Sequence, residues 1–197
     1  RYAVTVKNTC ENLSHTEESP TLHPGQRYLS LIAHVNGPLG QRLVDWKKRT
    51  GMTLPTDLSN HVTVYVSELT EQNENDWRSD ALAHSLAAIG TAQARAGGVC
   101  TFRPNSEIEY LDVILGADTF AELHGACVQE LGQWASPFPY VPHITLGRSL
   151  TPDQVRQAHR IFDDLPEQER SFTVDTLHVY AYDGADWEPL GALSLQS

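Results

Sequence analysis

The chain has 197 residues, 40% hydrophobic and 20% charged, with a formal net charge of −11. A chain of this size buries about 70% of its unfolded surface, enough for a core without staples, and no apolar run approaches the length of a membrane helix. Residues 150–197 carry nine acids and three bases, so −6 of the charge lies there. That balance argues against tight, sequence-independent binding to long nucleic acid. It leaves room for a small anionic ligand, because a local site can be positive on an acidic body. Cys10, Cys100 and Cys127 are too few for a disulfide framework and lack metal spacing. They are expected to be reduced thiols of a cytoplasmic protein. A chain that opens on Arg1 reads as processed or as an expressed segment, and any removed targeting segment is invisible in it.

Residues 1–27 read as an extension: a strand-like run, Ala3 to Val6, then a polar stretch from Asn8 to Gln26. Residues 28–197 read as one bilobal domain. Tyr28 to Val35 is a buried strand, broken by Asn36-Gly37-Pro38, and Leu39 to Arg49 is a helix with Leu43, Val44 and Trp46 on its apolar side. His61 to Leu69 alternates like a strand. Asn75 to Ala96, rich in alanine, predicts one long helix. Val99 to Arg103 and Glu107 to Leu115 predict two strands around Pro104-Asn105-Ser106. Thr119 to Trp134 predicts a helix capped by Asp118. A strand follows from Pro142 to Gly147. Thr151, Pro152 and Gln154 carry the signature of a capped helix start. Ser171 to Tyr182 and Trp187 to Leu195 form a hairpin across Asp183-Gly184.

An internal echo crosses these elements. Tyr28 to Ala33 matches Tyr110 to Leu115 in pattern, and His61-Val62-Thr63-Val64 matches His143-Ile144-Thr145-Leu146, both at an offset of 82. Each copy reads strand, helix, then a strand that begins at His, which predicts two similar lobes facing each other.

Chance gives about 0.3 His-x-Thr-apolar tetrapeptides in this composition, so one alone is weak and a repeat-related pair is informative. On a strand, residues i and i+2 share a face. His61 points with Thr63, and His143 with Thr145, while Val62, Val64, Ile144 and Leu146 point to the core. Cleaving a phosphodiester needs a base for the attacking oxygen and an acid for the leaving oxygen, on opposite sides of phosphorus. Imidazole serves both roles near neutral pH. Two Thr hydroxyls can hydrogen-bond the non-bridging oxygens, where charge concentrates.

These motifs, His61-Val62-Thr63-Val64 and Tyr140-Val141-Pro142-His143-Ile144-Thr145-Leu146, resemble those of the 2H phosphoesterase superfamily, which includes 2′-5′ RNA ligase-like proteins and cyclic nucleotide phosphodiesterases. The likeness covers roughly residues 28–195. It implies an α+β, LigT-like fold of two pseudo-symmetric lobes, each an antiparallel sheet with outer helices, with a catalytic cleft between them. It implies a hydrolase that opens a 2′,3′-cyclic phosphate or a related diester without metal or other cofactor. His61 and His143 would be catalytic, and Thr63 and Thr145 would bind phosphate. The partner would be a small nucleotide or an RNA terminus, with no long nucleic acid and no membrane, and the protein would work as a monomer. Two alternatives stand beside it: an RNA 2′-5′ ligase or RNA-end-processing enzyme, and an inactive nucleotide- or RNA-end-binding module.

Softer candidates are Tyr140, three residues before His143, as a substrate-lining ring, and Arg148, which follows the second motif, as a phosphate neighbour. Tyr28 and Tyr110 read as core or rim aromatics, and His34 as a surface residue or one at the cleft rim. His15, His23, His84, His124, His159 and His178 show no metal spacing.

Overall fold

The computed structural model describes Cys10, residues 25–52, Leu58, and residues 60–133, 135–136 and 139–196. The expected strand from Ala3 to Val6, and most of the polar stretch after it, lie outside the described residues.

Strand β1 (Tyr28–His34) is buried along almost its whole length, as a mostly apolar run requires, with Ser30 buried among its apolar neighbours. Helix α1 (Gly37–Arg49) carries Pro in its first turn, which suits a position whose N–H has no partner anyway. Its buried stripe is Leu39, Gly40, Leu43, Trp46 and Lys47. Strand β2 (His61–Glu68) follows.

The long helix expected over 75–96 is three elements: α2 (Glu71–Asp76), α3 (Asp80–Ile89) and strand β3 (Ala92–Thr101). Thr70 and Asn73 close a capping box on α2, and the Ser79 side chain accepts from Leu82 N–H to start α3. Gly90, at φ 86°, ends it. Alanine favours helix locally, but Ala92, Ala94 and Ala96 are buried and Gln93 is exposed, the period of a strand. Pairing on both sides of β3 outweighs the local preference.

Strand β4 (Ile108–Leu115) leads into α4 (Ala117–Leu131). Asp118 was expected to cap α4 but sits inside its first turn; Gly116 is the cap, in the left-handed region at φ 84°. A Cβ on Gly116 would lie 2.5 Å from the Gln93 carbonyl oxygen, so the close approach to β3 also demands glycine. Strand β5 (His143–Arg148) and helix α5 (Pro152–Phe162) follow, α5 with the expected Thr151–Gln154 capping box. After the short α6 (Glu167–Arg170), the strand expected from Ser171 to Tyr182 breaks at Asp175 into β6 (Ser171–Val174) and β7 (Thr176–Tyr182). β8 (Trp187–Ser194) completes the expected hairpin with β7.

The strands form one antiparallel sheet in the order β6-β3-β4-β5-β2-β1-β7-β8. The order is symmetric about the β5–β2 junction, so the two lobes are its two four-stranded halves. β6 and β7 are separated by Asp175 alone yet hold the first and seventh places, so the sheet curls until its β6 edge meets β7. Asn36 Nδ2 ties the closure by donating to the Thr173 carbonyl.

The repeat is real in β2 and β5 but shifted in β1 and β4. Ile32 faces Thr63, whereas Tyr110 faces Thr145. The structural equivalent of Tyr110 is therefore Ile32, not Tyr28. Apolar strands with period two look alike when slid by four residues, so pattern matching could not see this.

The main core includes Leu29, Leu31, Val62, Val64, Leu111, Ile144 and Leu146, with Trp46, Phe120 and Phe162 from the helices. Two small clusters lie on the face that carries His61 and His143: Ile32, Leu58 and Tyr180, and Cys100, Phe102, Ile108 and Tyr110. Tyr28 and Tyr110 are both core residues.

The expectation of three reduced thiols is corrected. Cys10 and Cys100 form a disulfide, with Cα atoms 5.6 Å apart across a sequence separation of 90. No spacing rule reveals a single pair so far apart. Cys127 is the free thiol, on the buried side of α4, and burial pushes it up to about 12. Among the described residues no helix is long and apolar enough to cross a membrane.

Candidate active site

β2 and β5 meet at one ladder pair, Val62 and Ile144. In an antiparallel pair, opposite residues share a face. Beside that junction His61 falls across from Thr145, and Thr63 across from His143. The burial pattern agrees: Val62, Val64, Ile144 and Leu146 are buried, while His61, Thr63, His143 and Thr145 are half-buried. All four expected residues therefore stand on one face at the junction of the lobes. His61 and His143 are diagonal neighbours across that junction, one on each strand.

Both imidazoles are held the same way. His61 Nδ1 lies 2.9 Å from the Leu58 carbonyl oxygen, and His143 Nδ1 lies 2.8 Å from that of Val141. A carbonyl only accepts, so each Nδ1 carries the hydrogen and each Nε2 is left for chemistry. Their surroundings differ. His143 packs edge-on against Phe102 and Tyr110, with ring centroids 5.1 and 5.4 Å away, and faces Asp112 across the β4–β5 ladder. His61 faces His34 across the β1–β2 ladder and lies 6.2 Å from the Trp187 ring. Burial lowers His61 to about 4. The Leu58 hydrogen bond opposes that shift, and the charges of Lys47, His34 and His143 add to it.

The splay of the two strands leaves carbonyls without ladder partners, and side chains cap them symmetrically. Tyr140 Oη donates to Thr63 O at 2.9 Å, and His124 Nδ1 to Val64 O at 2.7 Å. At the repeat-related positions, Lys47 Nζ donates to Thr145 O and Trp46 Nε1 to Leu146 O, both at 2.9 Å. Buried carbonyls need such donors. These four contacts satisfy the carbonyls that the two Thr-bearing strands leave without a ladder partner.

A family model of the 2′-5′ RNA ligase superfamily matches residues 38–186, which include both His-x-Thr motifs. The chain belongs to this superfamily. Membership places it among proteins of phosphodiester and RNA-end chemistry. Solved structures agree on the fold. Apo E. coli LigT matches with a TM-score of 0.57 at 15% identity, covering 87% of this chain and 99% of that one. E. coli LigT complexed with phosphate gives 0.58 at 16% over the same shares. A further phosphoesterase gives 0.56 at 18%, again over 87% and 99%. Comparison with curated proteins finds no match.

Within this superfamily member the softer candidates separate. The Tyr140 ring stacks on His124 at 4.2 Å and its hydroxyl is bonded to Thr63 O, so it positions Thr63 rather than offering a free ring to substrate. Arg148 is exposed at the far end of β5. Five residues of strand, about 17 Å, separate it from His143. It does not join the site. His34, half-buried, joins the cleft side of β1 and meets the His178 ring at 4.3 Å. Phe102, Trp187 and Lys47 were not singled out from sequence, and His124 was weighed only as a metal ligand. Lys47 had a signal: it sits four residues after Leu43 on the apolar stripe of α1, where a lysine is out of place. Among the described residues no three His, Cys, Asp or Glu side chains gather as metal ligands.

Proposed function

We propose that the protein is a phosphodiesterase that hydrolyses a 2′,3′-cyclic phosphate, or a closely related diester, on a nucleotide or RNA end. The observation that carries this reading is the pair of imidazoles on one face, each anchored through Nδ1 and each flanked by a Thr hydroxyl. His61, held neutral by its surroundings, takes a proton from water on Nε2 as the water oxygen bonds phosphorus. His143, protonated on Nε2, gives its proton to the leaving ribose oxygen as that P–O bond breaks. Thr63 and Thr145 hydroxyls donate to the non-bridging oxygens as their charge grows. His61 ends protonated and His143 neutral, and exchange with solvent resets both.

The reaction so drawn needs no metal and no cofactor, since two neutral Thr are poor cation ligands and the protons have named carriers. The substrate would be small, and a monomer suffices because both lobes come from one chain. LigT, of the same fold, has been solved with phosphate and with 3′-AMP, which fits a nucleotide ligand. The superfamily's description keeps RNA 2′-5′ joining as a second reading. A cytoplasmic location was expected from reduced cysteines; the Cys10–Cys100 disulfide removes that support and suits an oxidising compartment.

The test is a panel of 2′,3′-cyclic mononucleotides, 2′-5′ oligoadenylate and ADP-ribose cyclic phosphate, with products resolved by phosphorus NMR. The proposal expects ring opening of a cyclic phosphate to a single monoester isomer. Joining of RNA ends without hydrolysis of any panel member would favour the ligase reading instead.

A further inference from the structure

Lys47 is 5% exposed, and the Thr145 carbonyl is its hydrogen-bond partner. Among the described residues no carboxylate pairs with it. A buried ammonium without a counter-ion weakens a fold, and an apolar side chain of similar volume would pack better on this stripe of α1. Capping the carbonyl does not explain it either. At the repeat-related position Thr63 O is capped by the neutral hydroxyl of Tyr140. A neutral donor is therefore enough to hold that strand, and the charge at Lys47 is surplus to the structural task.

We propose that Lys47 is a positioning residue whose buried ammonium, fixed on the Thr145 backbone below the cleft floor, supplies the positive charge that holds a substrate phosphate above it. The proposal rests on the reading of the cleft as a phosphate site. On an acidic protein such a charge has a clear use, because a fixed cation in a low-dielectric setting acts strongly on an anion. The same cation acts on His61, whose proton it disfavours along with His34 on β1 and His143 on β5. His178 on β7 packs against His34, and Asp112 on β4 faces His143. Burial also lowers Lys47 itself, to about 8, so the charge is present at neutral pH and fades above it.

The experiment compares wild type with Lys47→Met, Lys47→Arg and Trp46→Phe. Sulfate affinity is measured by calorimetry, and His61 is titrated through its Cε1–H resonance. Lys47→Met should weaken sulfate binding by about fivefold or more. It should also raise the His61 midpoint by about half a unit or more. Trp46→Phe removes the neighbouring Leu146 cap but keeps the charge, and should leave the His61 midpoint in place. Lys47→Arg covers the case in which Lys47→Met does not fold. Arginine stays protonated, so at pH 9 this variant should bind sulfate more tightly than wild type, while the two match at pH 7. Sulfate affinity and His61 midpoint both unchanged in folded Lys47→Met would overturn the proposal, as would equal shifts in Trp46→Phe. Absence of sulfate binding to wild type would instead overturn the phosphate-site reading beneath it.

Discussion

Val62 and Ile144, 82 residues apart in the chain, are Cα partners at the junction of β2 and β5. They are also repeat equivalents, so the pseudo-two-fold axis passes between them. One pairing thus sets both lobes against each other and brings His61, Thr63, His143 and Thr145 to one place. Each strand's apolar residues fix it in the core, and the alternation of the strand delivers one imidazole and one hydroxyl to the cleft.

His61→Ala and His143→Ala should each lower kcat by about 100-fold or more, because each removes a proton carrier. The double variant should be little worse than the poorer single, since groups acting as a unit are not additive. Thr63→Ala and Thr145→Ala should cost about 10- to 1,000-fold, as losses of charge stabilisation. Steady-state rates on a cyclic mononucleotide check all five proteins, and near-wild-type activity in either His variant would remove the paired assignment.

The pH profile should be skewed to the acid side. His61 must be neutral to act as base, and with its pKa lowered to about 4 it stays neutral well below the ordinary imidazole range near 6.5. The acid limb of kcat/KM should therefore fall near pH 4. Stability has the same sign: between about 6.5 and 4 the unfolded chain binds this proton and the folded one does not. Falling pH across that window destabilises the fold through His61. An acid limb at 6 or above, or a melting temperature that rises on acidification there, would speak against this environment.

The disulfide makes a chemical prediction. Under denaturing, non-reducing conditions iodoacetamide should label one thiol, Cys127, and after reduction it should label three. Cys10→Ser should lower stability by roughly 2–4 kcal/mol, the usual loss for a native bridge. Three labels without reductant would restore the reduced-thiol expectation.

The placement of the two His-x-Thr motifs was more legible than the fold around them. His-x-Thr repeats announce themselves because a strand can present only alternate residues, so motif and geometry coincide at His61 and His143. The Thr151 cap and the Asp183-Gly184 turn were likewise local chemistry, readable from a few residues. Ala92 to Ala96 departs from the expected helix because alanine's helix preference is local, whereas its strand state depends on β4 and β6. Asp175 hides the break between β6 and β7 because nothing in Ser171 to Tyr182 shows that its two halves pair with opposite lobes. Lys47, Trp46, His124 and Tyr140 act on strand carbonyls exposed by the splay of β2 from β5; a lysine on the apolar stripe of α1 was the one sequence sign of these caps, and the splay itself has none.

The central claim is that two histidines, without a metal, move the protons of phosphodiester hydrolysis. Hydrolysis of a 2′,3′-cyclic mononucleotide after exhaustive EDTA treatment tests it most directly. The two-His mechanism predicts an unchanged rate, with His61→Ala and His143→Ala slower by about 100-fold or more under the same conditions. Loss of activity on chelation, restored by a divalent ion, would contradict it, since both histidines would then be acting as ligands.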